Sequence, residues 1–90
     1  MLVLPAELTQ HQANACLAML RQGLRDPAQA GVVVDAGALS HFDSAALAVL
    51  LACRRDSLAA GKTFSVRRLP PKLMQLAGLY GVAGLLTEAS

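Results

Sequence analysis

Charged and aromatic side chains are both scarce in this sequence. Eight basic and six acidic residues leave a formal charge of +2. The basic ones are scattered as Arg21/Arg25, Arg54/Arg55, Arg67/Arg68 and isolated lysines, too thin a footprint for nucleic acid. With two Phe, one Tyr and no Trp, no stacking platform for bases can be assembled. Cys16 and Cys53 each stand alone in a helix-like apolar segment, without the CxxC or Cys/His spacing that holds zinc, and read as buried free thiols. The longest unbroken run of hydrophobic residues, Ala45 to Cys53, is about half of what crossing a bilayer requires. The opening Met1-Leu2-Val3-Leu4-Pro5 lacks the basic flank and long apolar core of a signal peptide. These absences lead to the expectation of a cytoplasmic protein with no metal and no cofactor.

What remains is aliphatic: 54% of the 90 residues are hydrophobic, and Leu, Ala and Val supply most of that mass. A chain of this length and composition fits one packed domain, residues 1–90, with no repeat, linker or low-complexity segment. Leu2-Val3-Leu4 is a short strand stopped by Pro5. Thr9-x-x-Gln12 has the form of a capping box and predicts a helix from about Thr9 to Arg25, with Ala13, Leu17, Leu20 and Leu24 on its packed side. Val32-Val33-Val34 reads as a central strand covered on both faces. A second helix runs from Ser44 to about Ala60 and closes at Gly61. Lys62 to Arg67 alternates as a strand, and Pro70-Pro71 opens a third helix ended by Gly78, followed by a short apolar tail from Val82 to Leu86. This alternation predicts an α/β layer on a mainly parallel or mixed sheet flanked by helices.

The stretch His41-Phe42-Asp43-Ser44-Ala45-Ala46-Leu47 places an acid and a hydroxyl at the start of the second helix, on the carboxyl edge of the central strand, where open α/β sheets place their sites. Asp and Ser are also the side chains that cap helices, because their oxygens accept the unpaired amide hydrogens of the first turn. At 100° per residue, Leu47, Leu50, Leu51 and Leu58 cluster on one arc, expected to face the sheet. Ala45, Ala48, Val49 and Ala52 then form the outer side, where a lone surface helix would carry Lys, Glu or Gln, and small residues there leave room for another backbone. Alanines also simply favour helix on an indifferent surface. Hydrolase chemistry finds little support: His41, Asp43 and Ser44 crowd into four residues, and no G-x-S-x-G elbow is present. The glycines from Gly78 to Gly84 lack the Lys-Ser/Thr of a phosphate loop.

Taken in order, several segments resemble the STAS domains, the family named for sulphate transporters and anti-sigma factor antagonists. Ala6-Glu7-Leu8-Thr9 is similar to the family's Gly-Glu-Leu-Asp, and Val33-Val34-Asp35 to its Ile-Asp-Leu strand end. Asp43-Ser44-Ala45-Ala46-Leu47 is similar to its Asp-Ser-Ser-Gly-Leu, and Leu76-Ala77-Gly78-Leu79 to its late helix-Gly-Leu signal. Within the family, Lys72 to Val82 resembles the late helix of the short STAS subunit of bacterial lipid-asymmetry (Mla) ABC transporters.

The resemblance implies a small STAS fold and a non-enzymatic subunit that docks on and modulates the transporter's cytoplasmic ATPase, touching the inner membrane only through that partner. It places Asp43, Ser44, Ala45, Ala48, Val49 and Ala52 on the docking surface, with His41 and Arg55 at its rim. Asp43 is expected to hold the loop and cap the helix, and Ser44 to offer a central polar contact. The alternative it implies is an anti-sigma factor antagonist switched by phosphorylation of Ser44, and a weaker one is nucleotide binding. Two departures bear on these expectations. The glycine usual at Ala46 is absent, which disfavours the kinase switch, and the family's first edge strand is missing, which leaves a sheet edge open for self-association.

Overall fold

The computed structural model describes residues 2–28 and 30–86. Three parallel strands form the main sheet in the order β1 (Leu2–Val3), β3 (Gly31–Asp35), β5 (Thr63–Arg67). A second, minimal parallel pair joins β2 (Glu7–Leu8) to β4 (His41–Phe42), with Glu7 opposite His41 and Leu8 opposite Phe42. The helices are α1 (Ala13–Leu24), α2 (Ser44–Ala59) and α3 (Pro71–Leu79), followed by a single 3-10 turn at Ala83–Leu85. The expected α/β layer with a parallel sheet is therefore present.

The β-branched run does occupy the central strand, paired with β1 on one side and β5 on the other. Its two faces differ. Val32 and Val34 are buried and lie in register with Phe64 and Val66 of β5, and this side forms the core with Leu4, Leu8, Leu20, Leu47, Leu50 and Leu73. Val33 alternates to the opposite side, opposite Ser65, and both are only half-buried. The expectation of a strand covered on both faces is thus corrected: three apolar residues in a row state β-preference but not how many layers lie over them.

Helix ends follow local chemistry. Thr9 and Gln12 do form the reciprocal half of a capping box, since the Thr9 amide donates to Gln12 Oε1 at 2.9 Å. The segment they close is a turn, however, and the helix begins afterwards at Ala13. Gly61 ends α2 as expected, with φ +73°. Its amide donates to the Leu58 carbonyl, and the Lys62 amide reaches back to that of Ser57. The same paired bonds recur after α3, where Gly81 has φ +72°, its amide donates to the Gly78 carbonyl and that of Val82 to the Ala77 carbonyl. Gly81 rather than Gly78 is thus the left-handed terminator, and Gly78 stays inside α3.

Asp35 ends the central strand and is almost fully buried. Arg68, whose backbone is left-handed at φ +54°, folds its guanidinium onto this carboxylate at 2.5 and 3.1 Å, and the Gly37 amide adds a bond of 2.8 Å. The Arg68 hydrogen bonds, then the Gly37 amide, hold the Asp35 carboxyl below the usual carboxylate range. Both cysteines are buried and free, as read from their context. Burial pushes both thiols up, Cys53 to about 11.

Candidate functional site

The rotation of α2 decides what the molecule presents. Its buried residues are Ala46, Leu47, Val49, Leu50, Cys53 and Ser57. At 100° per residue Ala46, Leu50, Cys53 and Ser57 centre the inward arc, with Leu47 on one flank and Val49 on the other. This arc is turned by about a quarter of a circle from the leucine arc expected to face the sheet. Leu58 is 48% exposed and Leu51 only half-buried. Inward space is taken by small side chains instead. Ser57 satisfies its buried hydroxyl by donating to the Cys53 carbonyl at 2.7 Å, so a polar residue fits the core without cost to its hydrogen bonding.

The second flank explains the small residues. Arg21 of α1 donates through Nε to Asp56 Oδ2 at 2.6 Å, which places α1 beside the Asp56 flank of α2. Ala45, Val49 and Ala52 lie on that same flank, Val49 buried at 3% and the two alanines half-buried, and the two helices pack side by side. The small residues do admit another backbone, and that backbone is the chain's own α1. Val49 is accordingly removed from the outer surface, while Ala45 and Ala52 sit at the rim of the helix seam.

The outward face is Ser44, Ala48, Arg55 and Ala59, all exposed, bordered by Leu51 and Leu58. Ser44, Ala48 and Arg55 were expected on it; Leu51 and Leu58 were not. Hydropathy places those two inward because it ranks Leu above Ser and Cys, and the Arg21–Asp56 pairing that fixes the phase joins residues 35 apart in sequence. Arg55 makes no ion pair among the described residues. A face this poor in polar groups is unusual for a solvent-facing helix.

Asp43, not Ser44, is the cap. Its Oδ1 accepts from the Ala45 amide at 2.8 Å, and its Oδ2 accepts from the Gln10 amide at 3.2 Å. One carboxylate therefore ties the start of α2 to the turn ahead of α1. Ser44 is left exposed, its hydroxyl without a hydrogen bond among the described residues. His41, expected at the rim, lies exposed on β4 just before the cap. Ala46 is fully buried.

Among the described residues no group of three His, Cys, Asp or Glu stands close enough to hold a metal ion, and no buried side-chain polar atom lacks a partner. No described helix is long and apolar enough to cross a membrane. A cleft of about 440 Å³ lies away from the α2 face, between β1, the Pro5 corner and α1, where Val3 and Met19 line it. It is bounded on one side by the edge strand.

A search of curated proteins finds no match to the chain. A family model described as "Mlab, STAS domain" matches residues 1–87. With nearly the whole chain matched, and with three helices and parallel strands arranged as described, the chain belongs to the STAS domain family, in its MlaB-like branch.

Proposed function

We propose that this STAS domain is a non-enzymatic subunit that docks on the cytoplasmic ATPase of a phospholipid-transporting, Mla-type ABC transporter and modulates it. The observation that carries this reading is the outward face of α2. It starts at a fixed cap and an uncommitted Ser44 hydroxyl, continues through Ala48, Leu51 and Leu58, and bears only Arg55 as a charge. Such a face can be desolvated at small cost and shaped against a helix of the partner, with Ser44 as a central hydrogen-bonding group. Its location at the inner membrane would follow from the transporter.

The test is affinity for the purified ATPase subunit of the same organism, alongside thermal unfolding. Ala48→Glu is expected to abolish binding with little loss of stability, since the new charge meets water in the free protein and apolar surface in the complex. Ser44→Glu is expected to weaken binding more than Ser44→Ala. Full affinity in Ala48→Glu refutes the face. The exposed hydroxyl also suits a kinase, so a switch at Ser44 is the second reading. It would be favoured by phosphate on Ser44 in protein isolated from its host, together with a bound kinase in place of the ATPase.

A further inference from the structure

The cleft of about 440 Å³ between β1 and α1 is walled mainly by carbon, from Val3, Leu4, Pro5, Ala15, Cys16 and Met19. Val3 and Met19 are 53% and 47% exposed, so apolar wall is left in contact with water. The polar residues that line it are Glu7 and Gln12. Gln12 is engaged at both atoms of its amide: Oε1 accepts from the Thr9 amide and hydroxyl, and Nε2 donates to Glu7 Oε1 at 2.6 Å. Glu7 Oε2 has no hydrogen bond among the described residues, and Glu7 is the one charged side chain on the wall.

The edge of β1 is poorly suited to another strand. Leu2 and Leu4 turn their backbone groups to β3, which leaves Val3 with the outward amide and carbonyl, and Pro5 has no amide hydrogen to extend a ladder. A two-residue edge stopped by proline resists strand addition, so the concavity suits a small ligand rather than a second copy of the chain. Independently of the docking reading, we infer that this cleft binds a single-chain amphiphile with an aliphatic tail and a primary ammonium head, the tail lying along Ala15, Cys16 and Met19 and the head donating to Glu7. At roughly 30 Å³ for each water-sized group, the volume takes about 15 heavy atoms, a dozen chain carbons with a small head. No Lys, Arg or His lines the cleft. A carboxylate or phosphate head therefore loses water without gaining a partner and faces the Glu7 carboxylate, whereas an ammonium gains a charge-assisted hydrogen bond. Burial of the tail supplies affinity, and Glu7 supplies the choice of head.

The experiment uses the full chain alone, with dodecylamine and dodecanoate as probes, each below its micelle concentration at about pH 7. Calorimetric titration is expected to show saturable one-to-one binding of dodecylamine, at least about tenfold tighter than dodecanoate, with NMR amide shifts centred on Val3, Ala15 and Met19. Glu7→Gln keeps an oxygen for Gln12 and is expected to bring the two probes within about threefold of each other. Ala15 is exposed, so Ala15→Phe fills the cleft from outside the core and is expected to weaken dodecylamine more than about tenfold at an unchanged melting temperature. Met19→Lys, at a half-exposed position, sets a charge in the path of the tail and is expected to give a similar loss. Equal affinity of the parent for the two probes, or a preference that survives in Glu7→Gln, overturns the assignment of the head. Parental affinity in Ala15→Phe and Met19→Lys, or shifts centred instead on the exposed Leu79 and Tyr80, shows adsorption to apolar surface and overturns the site. None of these outcomes touches the α2 face, which is tested with the ATPase.

Discussion

Replacing Val49 by Ala measures the rotation of α2 directly. Val49 is 3% exposed on the flank facing α1, and truncation removes two methylene equivalents, about 1.6 kcal/mol of transfer free energy. The unfilled space adds to this, bringing the loss to about 2–3 kcal/mol. Alanine is the better helix former by roughly 0.5 kcal/mol, which opposes it. A net loss of about 1.5–2.5 kcal/mol follows, or roughly 6–20 °C in melting temperature for a domain of this size. Ala48, one residue earlier, is exposed, so Ala48→Glu is expected to change stability by no more than about 0.5 kcal/mol. Urea and thermal unfolding followed by circular dichroism separate the two. If Val49→Ala is neutral, the helix is turned as the leucine pattern suggests; if Ala48→Glu loses more than about 2 kcal/mol, Ala48 does not lie on the outward face described here.

Other substitutions test neighbouring parts of the structure. Val34→Asp places a charge at a position with no exposure and is expected to leave no folded protein, whereas Val33→Asp, on the half-buried side, retains a cooperative transition at lower temperature, as expression and melting will register. Asp43→Ala is expected to cost about 1 kcal/mol in chemical denaturation, the value of a lost cap, and Ser44→Ala less than about 0.5 kcal/mol. Because the native pKa of Asp35 is depressed, its stabilisation is fully present above the unfolded value of about 4 and is lost as pH falls through the native one. Arg68→Ala is therefore expected to be less stable than the parent at neutral pH, with the difference shrinking in acid; a difference independent of pH down to about 2 would contradict the pairing.

Much of the fold is legible in the chain because its signals are local. Val32–Val34 marks a strand without reference to anything else, and Ala60-Gly61 marks a helix end because only glycine enters the left-handed region cheaply. The two-residue strands β2 and β4 are illegible for the opposite reason: two residues carry no periodicity, and their pairing depends on the loops that bring Glu7 beside His41. The site divides similarly. Asp43 and Ser44 both have capping side chains, so residue type marks the helix start, while only geometry assigns the cap to Asp43 and frees Ser44. The face of α2 is obscured because its first turns are apolar nearly all round, and the side chains at the centre of the inward arc include Ala46, Cys53 and Ser57, which hydropathy does not single out.

The burial of the two thiols has a practical consequence. With a native pKa of about 11, Cys53 is thiolate in only about one molecule in a thousand at pH 8, and no reagent reaches it while α1 and α2 stay together. Alkylation must await an opening that returns the sulfur to water, where it reacts as an ordinary cysteine. The labelling rate thus becomes a clock for the parting of the two helices, readable by intact mass without any denaturant. If the proposed partner spans α2 and the neighbouring α1, the clock would slow in its presence and report occupancy of the helix in solution, with no probe attached to the surface itself.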